Sequence, residues 1–236
     1  MVSVEQLSIG YGSCALFSSL SFQIKSGEVV ALMGSNGIGK STLLRTLSGL
    51  QKPLSGMVKI NESNIGLLTP TERSRLVSVV TTERLQLDAM SVIDFIALGR
   101  SPYTSWTGKM GHQDLEVVTR TIGDLGISHL SNRYYHHLSD GEKQLCNIAR
   151  AVVQQSPLIV LDEPTAFLDY KNKRAVLVVL YKLAKEQNKC ILFSTHDVEV
   201  TYRHATKFIV LQKHNDYHLL QQSNKTFEQM IQMLLE

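Results

Sequence analysis

Tryptophan occurs once, cysteine three times and proline five times in a chain of 236 residues. Cys14, Cys146 and Cys190 are far apart and odd in number. They match neither metal-ligand spacing nor a disulfide framework, which points to a reducing compartment. The longest apolar runs, such as residues 175–180, are about six residues, against the ~20 that a membrane-spanning helix needs. The opening Met1-Val2-Ser3-Val4-Glu5 lacks the basic and apolar regions of a signal peptide. The expectation is a cytoplasmic chain whose link to any membrane runs through a partner. There is no dense Lys/Arg block and the net charge is only +3, so nothing marks a nucleic-acid surface. Repeats, low-complexity tracts and disordered linkers are also missing. What remains, 43% hydrophobic and 19% charged residues, describes a globular protein with a sizeable core, either one large domain or a core with a subdomain.

The chain is organised around residues 34–42, Gly34-Ser35-Asn36-Gly37-Ile38-Gly39-Lys40-Ser41-Thr42. Glycine, four residues, then Gly-Lys-Ser is the phosphate-loop pattern. The apolar run Val29-Val30-Ala31-Leu32-Met33 precedes it as a buried strand, and Leu43, Leu44, Leu47 and Leu50 follow at helical spacing. Glycines let successive N–H groups face inward around phosphate oxygens. The helix starting near Lys40 adds its unpaired N–H groups and positive dipole end. Lys40 supplies a point charge to the outer phosphates, and Ser41 is placed to ligate Mg²⁺.

Residues 2–9 and 20–25 read as half-buried strands joined through Gly10, Tyr11 and Gly12. Another short strand covers 57–60, a helix starts at the Thr69/Glu72 capping box with Pro70 at its first position, and 76–80 is a buried strand. From about 87 to 155 the pattern is mostly helical. Ser91 caps one helix, residues 114–125 form a second closed by Gly126, and a third begins at Ser139. Along the third, Leu145, Ile148, Ala149, Val152 and Val153 trace one apolar face. Strands follow at 158–161, 190–195 and 208–211, with helices at 171–187 and in the segment between the last two. A last strand at 217–220 and a helix capped by Thr226 close the chain. Alternating strands and helices around a nucleotide loop imply an α/β core with a helical insertion.

Asp162 and Glu163 directly follow the strand at 158–161, and Pro164 stops the pairing. The C-terminal ends of parallel strands face the ligand crevice. Asp162 suits a Mg²⁺ site reached through water, and Glu163 suits orientation or deprotonation of an attacking water. Leu138-Ser139-Asp140-Gly141-Glu142 contains another capping box, Ser139 with Glu142, while Gly141 permits close backbone approach at a helix N-terminus.

This last stretch resembles the signature sequence of ATP-binding-cassette (ABC) ATPases, usually Leu-Ser-Gly-Gly-Gln. The other expected parts stand in the expected order: the phosphate loop, the signature, Asp162-Glu163-Pro164, Phe167-Leu168-Asp169, and Ser194-Thr195-His196-Asp197. The resemblance covers roughly residues 1–211. It implies a P-loop NTPase core with a mostly parallel sheet, an N-terminal antiparallel β subdomain and an inserted helical subdomain. The chain as a whole would be a single ABC ATPase domain. Its core would cover about 1–86 and 156–211, its helical subdomain about 87–155, and its C-terminal extension 212–236.

By that resemblance Tyr11 stacks on adenine, residues 34–42 grip ATP and Mg²⁺, Glu163 is the catalytic carboxylate, and His196 contacts the γ-phosphate. Asp169 lies at a dimer interface. Ser139, Gly141 and Glu142 serve the nucleotide held by a second copy, so a homodimer clamps two ATP molecules head to tail. One motif departs from the family. Simple register puts Thr82 where members usually carry a glutamine that contacts Mg²⁺, with Glu83 or Gln86 as alternative substitutes.

Residues 98–103 and 164–169 look like the branch that energises importers of iron-siderophores, haem and cobalamin. This implies an ATP-hydrolysing subunit on the cytoplasmic face of the membrane. Its partners would be integral membrane permease subunits and, indirectly, an extracytoplasmic solute-binding protein. Tyr103 and Trp106 fit either a permease contact or packing within the helical subdomain. The alternative function is a soluble ABC ATPase of iron–sulfur cluster assembly or another non-transport role.

Overall fold

The structure is a computed structural model and describes residues 1–82, 87, 89–104, 108–223 and 226–235. The chain starts as a hairpin of β1 (Val2–Tyr11) and β2 (Cys14–Ile24), paired from Val2 with Ile24 to Tyr11 with Cys14. The pairing runs further than the alternating pattern suggests. Gly10 and Tyr11 belong to β1, and Gly12, at φ 56°, makes the turn with Ser13. Gly10 permits this because a Cβ there would stand 2.0 Å from the Cys14 carbonyl oxygen.

Next comes β3 (Val29–Met33), wholly buried, and then α1 (Lys40–Leu47). Leu43, Leu44 and Leu47 are buried as their spacing predicts, but Leu50 is 62% exposed. The helix stops before it, because Gly49 turns left-handed at φ 70°. After α1, β4 (Ser55–Ile60) pairs with β1, and β5 (Ser63–Asn64) completes a four-stranded antiparallel sheet of order β2-β1-β4-β5. The Thr69 capping box opens α2 (Pro70–Leu76) as expected, and β6 (Val77–Val80) follows.

Three helices come next: α3 (Val92–Ala97), capped by Ser91, α4 (His112–Asp124), and α5 (Asp140–Val153), capped by Ser139. The remaining elements are β7 (Leu158–Leu161), α6 (Tyr170–Gln187), β8 (Cys190–Ser194), α7 (Val198–Tyr202), β9 (Lys207–Leu211), β10 (Tyr217–Gln221) and α8 (Thr226–Leu235). Thr226 is the first residue of α8, and its hydroxyl bonds back to Gln221 O and Ser223 Oγ. The second sheet has the order β10-β9-β3-β8-β7-β6, parallel throughout except for β10.

Each face of that sheet has its own core. Val30 and Leu32 of β3 join α1 and the antiparallel sheet, whereas Val29, Ala31 and Met33 join α6 on the other side. A strand buried on both faces reads as an unbroken apolar run for this reason. A third core unites α3, α4 and α5.

Helix α5 corrects the expectation of one apolar face. Ile148, Ala151 and Val152 pack on the sheet, while Cys146, Ala149 and Val153 pack into the third core. It is a shared wall between two cores, so its apolar residues spread around the helix. Tyr103 makes contacts within the chain while remaining exposed. Its hydroxyl donates to Gln154 O at 3.0 Å and the Arg100 guanidinium lies 4.1 Å from its ring centre. Trp106, Glu83 and Gln86 lie outside the described residues.

Candidate functional site

Because β3, β8, β7 and β6 are consecutive and parallel, their C-terminal ends form a row. Along it stand the glycine loop, then Ser194 to His196, then Asp162 and Glu163, then Thr81 and Thr82. Four stretches that are distant in sequence become neighbours through sheet order alone.

The loop after β3 takes backbone shapes that only glycine adopts freely: Gly34 at φ 148°, Gly37 at φ 77° and Gly39 at φ 119°. Gly34 also lies so close to β9 that a Cβ would meet Leu211 O at 2.7 Å. The N-terminus of α1 carries no side-chain cap, leaving its first-turn N–H groups to an outside acceptor. Lys40 is buried, and its ammonium donates to the carbonyls of Gly34 at 2.8 Å and Ser35 at 3.1 Å. Burial lowers its pKa, partly offset by the nearby Glu163 and Asp162.

Tyr11 borders the same cleft, a space of about 530 Å³ shared with Asn36, Lys40, Ser41, Thr42 and Glu163. Tyr11 is 56% exposed, and its hydroxyl lies 3.0 Å from Thr42 Oγ1. The hairpin thus delivers an open aromatic face to the edge of the phosphate loop.

Asp162 leaves β7 with its N–H on Val80 O at 2.8 Å. Its carboxylate accepts the Ser194 hydroxyl at 2.6 Å. Glu163 then turns left-handed, φ 46°, an uncommon state for a long side chain. Its carboxylate comes within 3.2 Å of His196 Nδ1. Glu163 and His196 therefore stand together at this edge of the sheet. Asp162, Ser41 and Thr82 border a smaller adjoining cavity of about 60 Å³.

Ser139, Gly141 and Glu142 are not among the residues lining this cleft, although Asp140 between them borders a separate cavity of about 110 Å³ with Asp162 and Glu163. Ser139 and Glu142 are occupied with each other. Glu142 Oε2 accepts Ser139 N and Oγ, both at 2.8 Å, and Ser139 Oγ accepts Glu142 N at 3.3 Å. These bonds, the backbone one foremost, hold the Glu142 pKa below the usual carboxylate range. Glu142 also pairs with Arg133 at 3.0 Å. Asp169 caps α6 by accepting Asn172 N at 2.8 Å.

Two contributors are not evident in the sequence. Asn172 lies over Gly141, where a Cβ would meet its Cγ at 2.9 Å. Ser194 stands in the sequence only as the first residue of the motif that contains His196. Neither contact has a sequence signal, since each joins residues about thirty positions apart.

The model of the ABC transporter family matches residues 17–166. An uncharacterized ABC transporter ATP-binding protein of Methanocaldococcus jannaschii is 36% identical over 91% of this chain and 74% of its own length. The molybdate import ATP-binding protein MolC of Haemophilus influenzae is 35% identical, covering 91% and 80%. The iron(3+)-hydroxamate import ATP-binding protein FhuC of Bacillus subtilis is 31% identical, covering 90% and 79%. Among solved structures, a metal-chelate type ABC transporter in an inward-facing conformation superposes with a TM-score of 0.86 at 31% identity. That alignment covers 99% of this chain and 88% of the other. With the phosphate loop, the carboxylate pair and the histidine gathered at one edge of a shared fold, the chain belongs to the ABC transporter family as an ATP-binding subunit that hydrolyses ATP.

Proposed function

We propose that this chain powers an importer of iron-siderophore, haem or cobalamin from the cytoplasmic face of the membrane. In this reading Tyr11 stacks on adenine, and residues 34–42 hold the phosphates through backbone N–H groups, with Lys40 moving from its own loop carbonyls to the outer phosphates. Glu163 accepts the proton of a water whose oxygen attacks the γ-phosphorus. The bond to the β-phosphate oxygen breaks, and ADP and phosphate leave. His196 orients Glu163 and the γ-phosphate together.

The observation that carries this reading is the 3.2 Å approach of His196 Nδ1 to Glu163 Oε2 in the cleft that also contains Lys40. Mg²⁺ suits the adjoining cavity, where a hydroxyl and a carboxylate, Ser41 and Asp162, offer hard oxygen donors. Ser41 and Asp162 would hold the ion, which would supply neutralising charge to the phosphate oxygens, and Thr82 lines the same cavity.

Ser139, Gly141 and Glu142 act on the nucleotide of a second copy, with Asp169 at the interface, so the working unit is a homodimer attached to membrane permease subunits and served by an extracytoplasmic solute-binding protein. Nucleic acid has no part in it. The whole chain is one cassette, with the helical subdomain at about 87–155 and the extension at 212–236. Relatives named for siderophore and hydroxamate import support the solute class, and the molybdate relative of similar identity marks metal-containing solutes as the shared theme.

The test is affinity purification from native membranes. Co-purification of an integral membrane protein that stimulates ATP hydrolysis is expected. A chain that hydrolyses ATP at full rate and retains no membrane protein would overturn the importer reading.

A further inference from the structure

Every residue of β8 before Ser194 is apolar and buried, and Ser194 itself is fully buried. The strand therefore ends by placing one hydroxyl in a dry environment, beside the end of β7. The backbone N–H of Glu163 can only donate, so Ser194 Oγ accepts it, at 2.8 Å. Its single proton is then free for Asp162 Oδ1, at 2.6 Å. Its proton and one of its acceptor positions are spent on the two carboxylate-bearing residues.

The N–H it holds belongs to a residue at φ 46°, where Cβ crowds the carbonyl and the backbone needs external support. Two residues further along the same segment, His196 reaches the Glu163 carboxylate at 3.2 Å. One strand end thus grips Glu163 at its backbone and at its side chain.

We propose that Ser194 is a positioning residue for ATP hydrolysis. It fixes the peptide from which the Glu163 carboxylate is aimed. It also occupies one oxygen of Asp162, leaving the other for the metal site. The proposal rests on the roles given above to Glu163 and Asp162.

The test compares Ser194→Thr with Ser194→Val in the full-length protein, alongside Glu163→Gln. Threonine and valine add the same bulk and differ only in the hydroxyl, so a packing defect is common to both. Steady-state hydrolysis is measured against ATP and against free Mg²⁺, with nucleotide binding and thermal melting as controls. Valine should lower kcat about ten- to a hundredfold relative to threonine, raise the Mg²⁺ requirement, and leave ATP affinity within about twofold, since the phosphate loop is untouched. Equal kcat and equal Mg²⁺ dependence in the two variants would overturn the proposal, whatever their melting temperatures. Hydrolysis by Glu163→Gln at the normal rate would instead remove the reading of Glu163 on which the proposal stands.

Discussion

Asn172 of α6 lies directly on Gly141 of α5: an added Cβ would stand 2.9 Å from Asn172 Cγ and 3.1 Å from its amide atoms. The amide cannot simply swing away, since Asn172 Nδ2 donates to Asp169 Oδ2 at 3.1 Å. The glycine of the signature is therefore needed within one copy, quite apart from any nucleotide.

Gly141→Ala should destabilise the fold by about 1–3 kcal/mol through overpacking, seen as a lower Tm. Asn172→Ala should relieve the clash, so the double variant should melt above the sum of the single losses, with a coupling of about 0.5–3 kcal/mol. Additive melting losses would show that Asn172 is not what excludes the methyl group.

Glu163→Gln keeps the shape of the side chain and removes its basicity. Hydrolysis should fall at least about a hundredfold. ATP binding should persist, because Lys40 and the loop are unchanged, and an ATP-bound dimer should accumulate on size exclusion. Single-turnover hydrolysis with an equilibrium nucleotide titration separates the two effects.

Thr82→Gln restores at the end of β6 the amide that relatives are expected to carry. Thr82 is exposed and borders the small cavity with Ser41 and Asp162, so the fold should tolerate it. The Mg²⁺ dependence of hydrolysis, or stimulation by the membrane partner, should change. Unaltered values of both would mean that this position has no part in the metal site.

Cysteine reactivity gives a check on the cores. Cys146 is buried and its pKa is pushed up to about 12, chiefly by burial and then by Glu142; burial raises Cys190 as well. A raised thiol pKa keeps the reactive thiolate scarce at pH 8. Cys14 is exposed. A thiol reagent at pH 8 should modify Cys14 alone in the folded protein and all three cysteines after denaturation. Fast native labelling at Cys146 would contradict the packing of α5.

Much of this was legible in sequence because glycines, caps and apolar runs act locally. The Ser139 and Thr69 capping boxes and the left-handed Gly126 stand where their neighbours in sequence require them. Four errors share a different cause. Leu50 continues the helical spacing of α1, but Gly49 ends the helix first. Gly10 and Tyr11 resemble turn residues, yet the close approach of Cys14 makes them strand. Thr226 reads as the cap of the last helix, yet it is the helix's first residue and its hydroxyl bonds backwards to Gln221 O. Helix α5 shows no single stripe because two cores claim it. In each case the deciding contact is tertiary, or a backbone bond that periodicity does not weigh. The site follows the same division. Motif spacing exposes Lys40, Glu163 and His196, while Ser194 and Asn172 act only once β8 meets β7 and α6 meets α5.

Gln154, immediately after α5, donates its side-chain amide to Val77 O at 2.9 Å. Val77 opens β6, one of the two edge strands of its sheet. At the helix's opposite end stands Ser139. Fourteen residues separate the two ends, a rod about 21 Å long at 1.5 Å per residue. A displacement imposed at the Ser139 end would reach, through this one helix, an edge strand that ends at Val80, two residues before Thr82. Helix α5 thereby joins the signature serine to the strand that leads into the carboxylate edge of the sheet without an intervening loop.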